Sequence, residues 1–201
     1  GCGAECFNRT CLTTCDQRVC PCGPSCSNRP FHQLKSPKTD TTLTENRGYG
    51  LFLAEPVKAG RFIVEYCGEV VGEKKLNQRF ADYLKVNDRM LYVLELAKGI
   101  YIDARTKGGV ARYINHCCTP NCTMEKWKVR GNYRMVVFAL RDIKKDEELT
   151  FDYKWDRRKG RPLTKCHCES PECRGYLETE AVSVFEEVDE DGKKIGDWRR
   201  L

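Results

Sequence analysis

The chain of 201 residues contains no Cys-x-x-Cys pair, although 14 of its residues are cysteine. That absence excludes zinc ribbons and RING-type fingers, whose metal knuckles depend on this spacing. No apolar run approaches the roughly 18 residues that a membrane-spanning helix needs, and mean hydropathy is −0.60. The 8 prolines and 16 glycines follow no period and 40% of residues are hydrophobic. Collagen-like and wholly disordered chains are therefore excluded as well. There is no signal-peptide pattern and no initiating methionine, so the chain reads as a piece excised from a longer protein. Charge is only mildly biased: 35 Lys and Arg against 29 Asp and Glu give +6. This favours an anionic or chromatin-like partner without identifying one. The length suits one domain with a small appendage.

What the chain has in excess is clustered cysteine. Seven lie within the first 26 residues: Cys2, Cys6, Cys11, Cys15, Cys20, Cys22 and Cys26. Cys166, Cys168 and Cys173 close the main body, and Cys67, Cys117, Cys118 and Cys122 lie between. Secreted disulfide frameworks spread an even set of cysteines through a short chain. Bridges between such close neighbours would be strained, whereas short spacings let several thiolates converge on one tetrahedral Zn2+. Seven thiolates can serve two zinc ions if one sulfur bridges. The C-terminal triplet lacks a fourth ligand, for which His167 and a cysteine of the middle group are the candidates.

Residues 1–29 have almost no apolar side chains besides cysteine, so metal must stand in for a core there. Residues 30–48 are polar and turn-rich and read as a linker running into a strand. Short strands dominate from Tyr49 to Tyr153. Phe62–Tyr66, Leu91–Leu96, Ile100–Ile102 and Arg134–Leu140 are β-branched and aromatic at strand length. Between them, Leu76, Phe80, Tyr83 and Leu84 predict one helix over Lys74–Val86. The expected body is a β-rich α+β domain of several small sheets. Residues 154–165 hold six basic groups (Lys154, Arg157, Arg158, Lys159, Arg161, Lys165) against Asp156. They read as a solvated loop or, from their position before the cysteine triplet, as a substrate-facing lid. Residues 178–201, with eight acids and four bases, read as a flexible or loosely docked acidic tail.

Four segments carry candidate chemistry: Arg47-Gly48-Tyr49-Gly50, Glu65-Tyr66-Cys67-Gly68-Glu69, Arg112 to Cys122, and Glu148-Leu149-Thr150-Phe151-Asp152-Tyr153. Each is weak alone. Gly48-Tyr49-Gly50 lacks the third glycine and the helix of a dinucleotide fingerprint. Asn115-His116 could be an ordinary buried pair, and Phe151 with Tyr153 could be simple core packing.

In this order, however, the segments resemble the SET-domain protein lysine methyltransferases over nearly the whole chain. The Asn-His-x-Cys-x-Pro-Asn and Glu-Leu-Thr-Phe-Asp-Tyr runs carry the likeness. The cysteine-rich start is similar to an AWS module, and Cys-x-Cys-x4-Cys-Arg-Gly to a post-SET module; together they resemble the histone H3 lysine-36 methyltransferase group. The resemblance implies a β-clip-like SET fold with a threaded pseudoknot, flanked by zinc modules at both ends. It divides the chain into 1–29 (AWS-like), 30–153 (SET), 154–177 (basic loop and post-SET) and 178–201 (tail). It also implies S-adenosylmethionine held by Gly48, Tyr49, Gly50, Tyr92, Arg112, Asn115, His116 and Tyr153. Tyr66, Tyr92, Phe151 and Tyr153 would line a narrow lysine channel, with Tyr153 at the methyl-transfer centre. One Zn2+ would be held by Cys118, Cys166, Cys168 and Cys173, leaving Cys117 and Cys122 as structural or free thiols.

Cys2, Cys6, Cys15, Cys20 and Cys26 fit the AWS spacing, while Cys11 and Cys22 are additional. Either they replace a Cys-x-Cys pair that family members carry upstream, giving about three zinc ions per chain, or one site is incomplete. Leu91 stands where an aromatic residue usually precedes the channel tyrosine. Phe151 leaves room where tyrosine would restrict products to one methyl, so two or three methyl groups are expected. The implied partner is the histone H3 tail in the nucleosome, with nucleosomal DNA touching 154–165, no membrane, a monomeric fragment and a nuclear, chromatin location. Two alternatives stay open: another histone lysine or a non-histone target, and a catalytically weak chromatin-binding zinc module.

Overall fold

The computed structural model describes residues 5–29, 36–85, 92–156 and 163–179. In chain order its strands are β1 (Thr39–Leu43), β2 (Tyr49–Leu53), β3 (Phe62–Tyr66), β4 (Gly68–Gly72), β5 (Val93–Ala97) and β6 (Ile100–Gly108). There follow β7 (Asn115–His116), β8 (Cys122–Val129), β9 (Asn132–Ala139), β10 (Thr150–Phe151), β11 (Trp155–Asp156) and β12 (Glu178–Thr179). They assemble into several small sheets, as expected. β1 and β2 form an antiparallel hairpin, while β3-β9-β8 and β4-β6-β5 are three-stranded antiparallel sheets. β7 with β10, and β11 with β12, are parallel two-residue ladders.

One core gathers Leu51 and Leu53 of β2, Ile63 of β3, Ile102 and Ala104 of β6, and Val137 of β9. Ile114, Ile143 and Leu149, from the connecting segments, complete it. Each large aliphatic side chain buried this way contributes roughly 1.5–3 kcal/mol. The helix spans Glu73–Lys85, one residue earlier than its hydrophobic spacing predicts; Val86 and the side chain of Leu84 lie outside the described residues. Its Leu76 is fully buried against Val71 and Tyr101, with Phe80 beside them. Its polar flank is pinned to β6: Arg79 donates to Asp103 Oδ2 at 2.6 Å and to Glu69 Oε2 at 3.0 Å. Asp103 is completely buried and also accepts from the Tyr83 hydroxyl and the Arg105 amide.

That pinning explains why β6 runs on to Gly108 instead of ending at Ile102. Its polar residues are satisfied by the helix, so a strand continues where apolar patterning stops. β8 was not among the predicted strands; it alternates exposed Lys126 and Lys128 with buried Trp127 and Val129. Its free edge is covered by the N-terminal module: the Lys128 amide donates to Leu12 O at 2.8 Å and the Thr14 amide to Lys128 O at 3.0 Å. Leu12 packs on the Phe62, Trp127, Val129 and Val136 cluster. Within the stretch read as linker, Thr39–Leu43 is a strand. β5 begins at Val93 rather than Leu91, which lies outside the described residues. β9 starts two residues before Arg134 and ends one before Leu140. At the other end, Glu178 and Thr179, assigned to the tail, form β12 against β11 and are therefore docked.

Candidate active site and metal centres

The β7–β10 ladder aligns Asn115 with Thr150 and His116 with Phe151, so the Asn-His pair and the Phe-Asp-Tyr run meet. Around them lies a cavity of about 270 Å³ lined by Tyr49, Tyr66, Tyr92, Arg112, Asn115, His116, Phe151 and Tyr153. Gly48 and Gly50 stand behind this wall. Gly48 has φ +70°, and its carbonyl accepts from the amide and hydroxyl of Thr44 at 2.7 Å each, closing the β1–β2 turn. A Cβ on Gly50 would come within 2.7 Å of Glu148 Oε1, so the absent side chain makes room for that carboxylate.

Tyr153 is the centre of the aromatic wall. Its ring lies 5.0 Å from Phe151, 5.3 Å from His116 and 5.8 Å from Trp155, centroid to centroid. Its hydroxyl donates to Ile114 O at 3.0 Å, so the oxygen has lone pairs left for other partners. Burial, reinforced by Tyr92, pushes its pKa up; burial and then Tyr153 do the same to Tyr66. Both hydroxyls stay protonated around neutral pH. The Tyr153 amide donates to His116 Nδ1 at 3.1 Å. The ring hydrogen is thus on Nε2, 3.4 Å from Cys118 Sγ. Burial lowers the His116 pKa, which keeps the ring neutral.

The polar rim is organised by two residues to which the sequence assigns no role. Glu148 accepts from Asn115 Nδ2 at 2.8 Å and from Arg47 at 2.7 Å, and Asn115 also donates to Tyr49 O at 3.2 Å. Arg112 braces the wall by donating to Ala104 O, Arg105 O and the Tyr113 hydroxyl; its buried Nε has no partner. Trp155, Lys165, His167 and Leu177 complete the enclosure from the C-terminal side. Glu148 and Arg47 stand within the motifs, but their partners are 33 and 101 residues away in sequence. Only tertiary structure reveals them.

The cysteines gather into two sets. Cys118, Cys166, Cys168 and Cys173 place their sulfurs within 4.8 Å of one another, with Cys118 3.9 Å from both Cys166 and Cys173. Zn–S bonds of about 2.3 Å in a tetrahedron give S···S edges of about 3.8 Å, so these residues fit the ion. His167 faces the cavity instead. Cys15, Cys20 and Cys26 form the second set, joined by Cys6 with its sulfur 3.8 Å from that of Cys15. Burial opposes ionisation of Cys15, but amide donation from Asn8 and Asn28 brings its pKa down to about 7, which suits a metal-binding thiolate. Cys22 packs beside this set. Exposed Cys11 belongs to neither set, and Cys2 lies outside the described residues. The described cysteines of the N-terminal module thus converge on Cys15. Cys122 is a core thiol pushed by burial to about 12, and Cys117 donates to Thr119 O. Among the described residues, no helix is long and apolar enough to cross a membrane.

Comparison with known proteins follows the same outline. Residues 48–154 match the SET domain family and residues 1–33 the AWS domain family. The chain is 42% identical over 177 residues to Arabidopsis thaliana "Histone-lysine N-methyltransferase ASHH2", covering 88% of this chain and 10% of that protein. It is 41% identical over 191 residues to the Schizosaccharomyces pombe "Histone-lysine N-methyltransferase, H3 lysine-36 specific", covering 93% and 24%. To Homo sapiens "Histone-lysine N-methyltransferase SETD2" it is 39% identical over 176 residues, covering 88% and 7%. The chain therefore spans a quarter or less of the length of these relatives.

Proposed function

Because the chain belongs to the SET-domain family, with an AWS domain ahead of its SET domain, we propose that it is a protein-lysine N-methyltransferase using S-adenosylmethionine. Its proposed target is lysine 36 of histone H3 in the nucleosome, the residue named for its relative from Schizosaccharomyces pombe, and its proposed location is nuclear chromatin. The observation that carries the reading is the cavity in which Tyr66, Tyr92, Phe151 and Tyr153 converge beside Asn115 and His116.

The residues present fit the cofactor: an unpartnered buried donor at Arg112 Nε, the ring of Tyr49 and the polar rim of Asn115, Arg47 and Glu148. When bound, S-adenosylmethionine supplies an electrophilic methyl group on a cationic sulfonium. Tyr49, Tyr92, Arg112, Asn115, His116 and Tyr153 would hold it, with Gly48 and Gly50 shaping the turn behind them. The chain's own task is to bring a lysine nitrogen into line, where positioning supplies much of the rate. A lysine with pKa about 10.4 is well under ~1% neutral at pH 7. A cavity walled by buried tyrosines disfavours the ammonium form and so lowers that pKa. No wall residue serves as base: the tyrosines are held protonated, and Glu148 is engaged by Arg47 and Asn115. The amine's proton therefore leaves to water before transfer. With its hydrogen directed at Ile114 O, the Tyr153 hydroxyl oxygen offers lone pairs to orient the amine.

Zinc in the set of Cys118, Cys166, Cys168 and Cys173 would fasten the C-terminal segment, which contributes His167 and Leu177 to the cavity. The basic residues at 154–165 are the proposed contact to nucleosomal DNA; residues 157–162 of that stretch lie outside the described residues. Strong salt dependence on nucleosomes, absent on free peptide, supports that contact. The decisive experiment is mass spectrometry of recombinant nucleosomes incubated with the protein and cofactor. Di- or trimethylation at H3 lysine 36 supports the proposal, and methylation elsewhere overturns the target but not the chemistry. No transfer, together with no cofactor affinity by calorimetry, overturns both.

A further inference from the structure

Next to the cavity, Asp152 and Arg174 form a bidentate ion pair. Arg174 Nη1 donates to Asp152 Oδ2 at 2.9 Å and Nη2 to Oδ1 at 2.7 Å. The same guanidinium reaches the chain beyond it: Nε donates to Tyr176 O at 3.0 Å and Nη2 to Leu177 O at 2.8 Å. Both side chains are largely shielded, at 28% and 20% exposure. A planar fork with all three nitrogens engaged is a geometric clamp as well as a charge pair.

The two things it clamps are parts of the cavity. Asp152 immediately precedes Tyr153, and its Oδ1 lies 3.5 Å from His116 Nδ1, the atom that accepts from the Tyr153 amide. Leu177 is part of the wall contributed by the C-terminal segment. The four-cysteine set fastens that segment elsewhere, through Cys118. We propose that Arg174 is a positioning residue: with Asp152 it latches the C-terminal segment across the cavity mouth and thereby sets affinity for the cofactor. The proposal rests on the methyltransferase reading and extends it to residues that touch neither cofactor nor lysine.

The test uses the zinc-loaded full chain and four variants: Arg174→Gln, Arg174→Lys, Asp152→Asn, and Arg174→Gln with Asp152→Asn. Zinc content, melting temperature, calorimetric S-adenosylmethionine affinity, and kcat and KM on nucleosomes are measured for each. Arg174→Gln is expected to keep its zinc, to weaken cofactor binding and raise its KM about tenfold, and to change saturated kcat less than about threefold. Asp152→Asn, which leaves the Arg174 contacts to Tyr176 O and Leu177 O in place, should weaken binding in the same direction but less, and the double variant should be no worse than Arg174→Gln, in which the pair is already lost. Arg174→Lys, which keeps the charge but not the fork, should recover part of the affinity. Unchanged cofactor affinity overturns the latch. So does loss of zinc alongside affinity, which would make Arg174 a support of the metal centre, and so does failure of both single variants to fold. A wild-type protein without cofactor affinity would overturn the methyltransferase reading itself, and the latch with it.

Discussion

At Tyr153 the hydroxyl and the ring do separable work. The ring is held by Phe151, His116 and Trp155, while the hydroxyl is fixed by Ile114 O. Tyr153→Phe should therefore leave cofactor affinity within about threefold yet lower kcat about a hundredfold, the usual scale for losing one well-placed polar group. Single-turnover kinetics with calorimetry checks both halves. Phe151 poses the complementary question of space. Its ring lines the cavity beside that of Tyr153, so a hydroxyl added to it is expected to take up volume that a methylated amine needs. Phe151→Tyr should shift products toward monomethyl-lysine, and product mass spectra that stay di- or trimethylated would count against the assignment. Tyr153, Asn115 and His116 could be singled out in the sequence because they sit in specific local runs. Glu148 could not be given a role, since its meaning comes from Arg47 and Asn115 across the fold.

At the scale of elements, segments that obey a local period were visible and those satisfied by remote partners were not. The start of the helix is legible to within a residue because Leu76 and Phe80 recur on one face. Apolar patterning marks β6 only to Ile102, since Asp103 and Arg105 look like a strand's end until Arg79 and Tyr83 satisfy the buried Asp103 carboxylate. The loop between β9 and β10 depends on such remote satisfaction too. Glu147 accepts from Arg141, from the Lys144 amide and from Asn121. Burial tends to raise its pKa, but these donors outweigh it and hold the value below the ordinary 4.5. A depressed carboxylate contributes stability above the unfolded pKa and loses it as pH falls through the folded value. Glu147→Gln should thus cost about 1 kcal/mol at pH 7, discounted for its partial exposure. The gap from wild type should close as pH falls below 4.5. Denaturant melts at pH 7, 5 and 3 measure it; a gap independent of pH would show that shape, not charge, is what Glu147 supplies.

For the whole molecule the question is what replaces a hydrophobic core at the two ends. The central body has one, but among the described residues the N-terminal module buries no apolar side chain besides Cys6, Cys15 and Cys26, its other buried residues being the polar Thr14, Asn28 and Arg29, and the C-terminal segment buries Cys166. Thiolates converging at tetrahedral distances without an ion would repel one another, so each end should be stable only with metal bound. Clustered cysteines make this legible in the sequence; spacing alone leaves His167 and a middle cysteine open as fourth partner, the family resemblance names Cys118, and the sulfur positions agree with it. The four-thiol C-terminal set calls for one zinc ion, and the N-terminal cysteines converging on Cys15 call for one ion, or two if its sulfur is shared. Cys118→Ser should lower the content by one and abolish most turnover, because the same cysteine stands 3.4 Å from His116 Nε2 at the cavity. The N-terminal set should keep its metal in that variant, since no residue is shared between the two. Metal analysis by mass spectrometry, with hydrogen exchange over residues 5–29 and 163–179, separates the outcomes. Unchanged metal and turnover in Cys118→Ser would remove the link between the C-terminal centre and the cavity, whereas simultaneous loss of metal from both ends would mean that the two ends fold as one unit.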